Sequence, residues 1–234
     1  MRSRDVRATT AGLLFIAATA ASLVATAFLG SLLKEPGFLA TVALHQDRLL
    51  AAALFQLLAA FTSAAIAVAL YPVLRQHAAA TALGAVAFRT IEGVFYALSA
   101  AGTLILVSLS AQLTAGAPAH ASADLVRDLR DAASCVGVLA FCTGATLYYL
   151  IFYRSQLIPR WLSLWGLAGT VLCLTAGLLV LFQSIAVLSG TQVVLSLPIG
   201  VQEMVLAVWL IVKGFSPKPK AKVSAPTAAE LHPV

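Results

Sequence analysis

Three ionisable residues stand in apolar surroundings where a charge is costly. Arg89 and Glu92 fall in "VAFRTIEGVFYALSAAGTLILVSL", a run from Val86 to Leu109 that is otherwise almost wholly oil-soluble. Glu203 falls in "LPIGVQEMVLAVWLIVKG", beside Gln202 and five residues after Pro198. A charge at mid-bilayer costs roughly 2.5–3.5 kcal/mol on insertion scales, so each of these needs a partner, water or a function. The i,i+3 spacing of Arg89 and Glu92 places them on one helix face, where they can neutralise each other. A proline in mid-span removes a backbone donor and frees a carbonyl close to Glu203. The chemistry open to such a set is binding a substrate headgroup or moving a proton.

The elements that must position these residues follow from composition. The 234-residue chain is 61% hydrophobic and 10% charged, against about a quarter charged in soluble domains. It reads as an all-α polytopic membrane bundle. Six runs reach the ~20 residues needed to cross the hydrocarbon core: Thr10–Leu33, Leu49–Leu74, Thr81–Gln112, Ala132–Tyr153, Trp161–Phe182 and Gln192–Val212. The third is longer than needed and must tilt or project. None alternates as a barrel strand does. The expected organisation is one six-helix domain over residues 1–215, then a disordered basic tail over 216–234.

Lysine and arginine in the short connections set the orientation. With the N-terminus in the cytoplasm, Arg2, Arg4, Arg7, Arg75, Arg154, Arg160, Lys213, Lys218, Lys220 and Lys222 lie inside, and Lys34, Arg48, Arg127 and Arg130 outside. Ten against four favours both termini inside. The net charge of +6 therefore suits a membrane face, with no nucleic-acid partner expected. The tail lysines could contact anionic lipid, at about 1 kcal/mol each, or serve only to set orientation. The first run, with its arginines and the Ala25-Thr26-Ala27 triplet, has the features of a signal peptide. Its continuation to Leu33 favours an uncleaved span.

In this frame Arg89 lies about 12 Å from the cytoplasmic end of the third span and Glu203 about 15 Å from that end of the sixth, at 1.5 Å per residue. Matching depth and opposite sign predict that Arg89 and Glu203 approach within hydrogen-bonding or one-water distance. Three readings stay open: a binding or proton-moving site made by Arg89, Glu92, Gln202 and Glu203, a clamp that fixes the third helix to the sixth, or an Arg89 that snorkels to lipid headgroups.

Other polar residues read as architecture. Tyr71, Tyr148, Tyr149, Tyr153 and Trp161 fit an aromatic belt at the inner interface. Gly166 and Gly169 allow close helix contact. "DLVRDLRD" pairs Asp124 with Arg127 and Arg127 with Asp131, as a solvated start to the fourth helix. "HQDR", His45 to Arg48, marks the outer mouth of the second span, and Gln56 faces inward or meets a neighbouring backbone. Cys135, Cys142 and Cys173 are apolar filler without metal-ligand spacing. No cofactor is implied, and the oligomeric state is not specified.

"LYPVLR", "AFR", "YLIFYRSQLIPRWLSLWGLAG", "LPIGVQEMVLAVWLIVKG" and the N-terminal "RATTAGLLFIAATAASL" together resemble the bacterial membrane family known as domain of unknown function 4386, over most of residues 5–215. That resemblance implies six helices in a bacterial cytoplasmic membrane, and takes in Arg89, Pro159, Arg160, Pro198 and Glu203. Of the function classes, an enzyme is disfavoured: HExxH, GxSxG and a nucleotide loop are all missing. A transporter or small-molecule or lipid-binding protein predicts a cavity reaching Arg89 and Glu203. A structural, sensory or accessory protein predicts a dry clamp.

Overall fold

A computed structural model describes residues 6–33, 37–116 and 119–216. Hydrocarbon offers a backbone no hydrogen-bond partners, so apolar runs of this length satisfy their own as helices. The elements are α1 (Val6–Leu29), α2 (Phe38–Leu44), α3 (Gln46–Leu74), α4 (Ala79–Thr114), α5 (His120–Ser155), α6 (Arg160–Leu181) and α7 (Gly190–Val212). All but α2 are long and apolar enough to cross a membrane. Residues 217–234, which hold nearly all of the basic tail, lie outside the described residues, as do Arg2, Arg4 and Lys34.

Two elements differ from the sequence reading. α2 is a short helix where only a connection is expected. Its Phe38, Leu39 and Val42 are buried with Leu49 of α3 and Leu106 of α4. α5 begins at His120, well ahead of Ala132, because hydropathy marks only the membrane-crossing part of a helix. Charged turns continue it, with Arg127 held 3.1 Å from Asp124. At 36 residues each, α4 and α5 run about 54 Å.

Local chemistry sets the helix ends. Ser189 caps α7, its hydroxyl accepting from Gln192 N at 3.3 Å. Between α5 and α6 the chain turns at Gln156, in the left-handed region at φ 55°, and Pro159 precedes the first turn of α6. Leu157 and Ile158 bury this turn, and Ser216 N donates to the Leu157 carbonyl at 2.8 Å.

Each spanning helix packs on its sequence neighbours, and α7 closes back on α1. The result is a ring in the order α1, α3, α4, α5, α6, α7, in which α4 stands opposite α7. Closure occurs at the end carrying both termini. There Gly12 leaves room for α7: a Cβ on it would lie 2.7 Å from the Ala207 carbonyl oxygen. Two apolar cores fill the ring. One, at the terminal end, gathers Phe15, Leu70, Tyr148, Tyr149, Phe152 and Leu206. The other caps the far end with Leu29, Leu32, Phe38, Leu49 and Leu106.

Candidate functional site

Between the two cores lies a cavity of about 380 Å³, within the range of small-molecule sites. α4 presents Arg89, Glu92 and Tyr96 to it, and α7 presents Ser196, Gly200 and Glu203. α5 contributes Arg130, Ser134, Val138 and Phe141, a helical stripe along one face. α3 adds Gln56 and Ser63, and α1 adds Thr19, Ser22 and Thr26.

The α4 wall carries the most deeply buried charges. Arg89 and Glu92 are 2% and 3% exposed. Glu92 Oε1 accepts from Ser63 Oγ at 2.7 Å, and Oε2 lies 3.1 Å from Arg89 Nη1. The second contact is an ion pair without hydrogen-bond alignment. Arg89 Nε and Nη1 and Glu92 Oε2 thus make no hydrogen bonds among the described residues. The guanidinium also sits 4.9 Å from the Phe141 ring centroid. Its stem passes Gly144, where a Cβ would come 3.0 Å from Arg89 Cγ.

Across the cavity, Glu203 Oε1 accepts from the Tyr148 hydroxyl at 3.3 Å. Unlike Arg89 and Glu92, Glu203 keeps accessible surface, and it is near enough for its charge to act on Arg89. Gln202 does not line the cavity. It is fully buried, accepting from the Tyr149 hydroxyl and donating to the Leu162 carbonyl at 3.0 Å. These bonds tie α7 to α5 and α6. The Tyr149 ring fits against Gly166, where any Cβ would collide with it.

Spacing offers Arg89–Glu92 as a pair, and matching depth offers Arg89–Glu203 within hydrogen-bonding or one-water distance; the direct ion pair that forms is Arg89–Glu92. The physical reason is the ring, which sets α4 and α7 on opposite sides of the cavity. Among the described residues no direct ion pair joins Arg89 of the third span to Glu203 of the sixth. Tyr148 and Tyr149 are a second correction. Neither belongs to an interfacial belt, since both are fully buried and their hydroxyls hold Glu203 and Gln202. Tyr71, Tyr153 and Trp161 keep exposed or half-buried positions, the two tyrosines beside Arg75 and Arg160.

Arg130 is the residue the sequence reading missed. It is 7% exposed, not solvated, and its Nε donates to Thr103 Oγ1 at 2.9 Å. Its Nη1 takes Asp131 at 2.6 Å, so the expected Arg127–Asp131 pair gives way to Arg127 with Asp124 and Asp128. Gly102 makes room, a Cβ there lying 3.0 Å from Arg130 Cβ. Thr103 is eleven residues beyond Glu92 on α4, so the two polar layers are about 16 Å apart. The available signal was periodicity: Arg130, Ser134, Val138 and Phe141 recur at helical spacing.

Cys173 apart, the remaining residues singled out from sequence stand away from the cavity. Pro159 and Arg160 form the α5–α6 turn, with Arg160 5.8 Å from the Tyr153 ring centroid. Pro198 lies inside α7, where the next residue passes Gly169 so closely that a Cβ on the glycine would lie 3.0 Å from the Ile199 backbone. In "HQDR", His45 Nδ1 is 3.0 Å from the Thr41 carbonyl, and Gln46 donates to Ser110 Oγ at 3.3 Å. The three cysteines are buried free thiols, of which Cys173 touches the cavity. Among the described residues no cluster of His, Cys, Asp and Glu could hold a metal ion.

No curated protein and no solved structure matches the chain. Its family is nonetheless defined. From α1 through α7, residues 10–214 match the pattern of the domain of unknown function DUF4386, and the chain belongs to that family.

Proposed function

We propose that this membrane protein binds, and carries or senses, a small molecule or single-chain lipid in the cavity between α4 and α7. One observation carries the reading: Arg89, Glu92 and Glu203, from opposite sides of the ring, border the same space of about 380 Å³. Packing alone gives no reason to leave a space beside groups so costly to bury. Recognition gives one, since a ligand's polar head can complete hydrogen bonds that Arg89 and Glu92 leave unmade. We assign the chain to the cytoplasmic membrane of a bacterium, with both termini and the basic tail on the cytoplasmic face beside anionic lipid. Support comes from the lysine and arginine asymmetry.

The structural alternative has its own observation, and it concerns different residues. Tyr149, Gln202 and the Leu162 carbonyl form a closed chain across three helices. We assign Gln202 to assembly and keep Arg89, Glu92 and Glu203 for binding.

Copurification tests the proposal. Full-length protein and its Glu203→Gln variant are purified in parallel, and small molecules and lipids released on denaturation are compared by mass spectrometry. A compound present at stoichiometric level in the first and depleted in the second supports binding. Identical profiles from two equally stable proteins would argue for a purely structural cavity.

A further inference from the structure

Toward the terminal end the cavity meets the Phe15–Tyr148–Phe152–Leu206 core. Toward the far end it meets the Leu29–Phe38–Leu49–Leu106 core and the half-exposed Val187 and Leu188 of the α6–α7 connection. Its side is different. α1 and α7 touch at Gly12 and Ala207, but beyond that contact both helices border the cavity. Ser22, Leu23 and Thr26 of α1 and Val193 of α7 line the space and are also exposed on the outside of the ring. Leu23 is 66% exposed and Val193 51%. Residues that face both a cavity and the exterior are the rim of an opening. Ser22 lies about 24 Å along α1 from Val6 at 1.5 Å per residue, within the span, while Val193 is three residues from the start of α7, so the opening runs from the hydrocarbon up to its far interface.

Charge states what would enter. Around the inner layer, α4 supplies Arg89 and Glu92 and α7 supplies Glu203, while α1, α3 and α6 supply no charged side chain to the cavity. Arg130 of α5 is matched by Asp131. With all groups ionised, two carboxylates face one guanidinium, an excess of one negative charge. The acid with accessible surface is Glu203. Glu92 stands opposite with an oxygen that accepts no hydrogen bond, and the Tyr96 ring beside it can stack on a cation. Val138, Phe141 and Leu23 offer the rest of the surface to an apolar chain.

We infer that the ring admits a single-chain lipophilic amine from the bilayer, through a lateral opening between the far halves of α1 and α7, and seats its ammonium group between Glu203 and Glu92. This rests on the cavity being a binding site. The ammonium replaces the missing positive charge, and the hydrocarbon tail needs no aqueous route.

The test uses full-length protein in phosphatidylcholine nanodiscs and a photoreactive long-chain primary amine, with the chain-matched alcohol and carboxylic acid beside it. Crosslinked peptides are mapped by mass spectrometry. The amine should label cavity-lining peptides of α5 and α7 at least about tenfold more than the alcohol or acid, and Glu203→Gln should erase that preference. Ser22→Trp and Val193→Trp, which fill the rim, should each slow amine labelling about tenfold, whereas Val208→Trp, on an exposed face of α7 away from the cavity, should not. Thermal unfolding establishes that the variants are folded. Equal labelling by all three probes overturns the ammonium assignment alone. Amine labelling that neither rim variant slows overturns the lateral route alone. Cavity peptides untouched by every probe in folded protein overturn the binding reading itself.

Discussion

Arg89 and Glu92 hold each other at 3.1 Å along one face of α4, with side chains 2% and 4% exposed, while Glu203 stands on the helix opposite. Removing one member of a buried pair leaves an uncompensated charge, at roughly 3–5 kcal/mol. Arg89→Ala and Glu92→Ala should therefore each lower the unfolding temperature in detergent. The double variant should lose less than their sum, by about 1–3 kcal/mol of coupling. Arg89→Ala with Glu203→Ala should lie closer to additive, because that pair makes no direct contact. Coupling stronger for Arg89 with Glu203 than with Glu92 would contradict the geometry.

Tyr148 and Tyr149 are adjacent but bond to different partners, which separates assembly from binding. Tyr149→Phe leaves the buried Gln202 oxygen without its donor and should destabilise by about 1–3 kcal/mol. Tyr148→Phe removes the 3.3 Å bond to Glu203, an acid with accessible surface. It should cost less stability and act mainly on amine affinity. Thermal unfolding and ligand titration on the same samples read the two effects. A larger stability loss for Tyr148→Phe than for Tyr149→Phe would reverse the assignment.

Glycines offer a graded test of packing. Gly166→Ala puts a methyl group into the Tyr149 ring and Gly144→Ala into the Arg89 stem. Overpacking of this kind typically costs about 1–3 kcal/mol. A Cβ on Gly200, which borders the cavity, has nothing within 4 Å. Gly200→Ala should be neutral or stabilise by up to about 1 kcal/mol through helix propensity. Melting temperatures that fail to separate Gly200→Ala from the other two would mean the helices are spaced differently.

An even number of spans places the two termini on one side. A periplasm-active reporter fused after Gly116 should be active, and the same reporter after Ser216 silent, given the proposed orientation. Activity at both positions would break the six-span count, and the reverse pattern would invert the protein.

A span is a local property. Twenty apolar residues in sequence must cross the bilayer as helix wherever their neighbours lie, so the all-α class and the six spans were legible in the chain alone. The same holds for the burial of Arg89 and Glu92 and the partial burial of Glu203, because each sits deep within such a run. The Arg89–Glu92 pair was legible too, since i,i+3 spacing puts both on one helix face. Which of two candidate partners takes the arginine directly is not local: depth also offered Glu203, and the ring places its helix across a cavity. Tyr148 and Tyr149 read as belt residues because sequence gives their distance from a span end and not their azimuth; packing turns both inward. Arg130 hid in a run of charges that looks solvated, though only one face of that run meets water. Hydropathy is a one-dimensional sum and carries no angle. Which face of each helix turns inward, and which helix it meets there, is settled only when all six close into one ring.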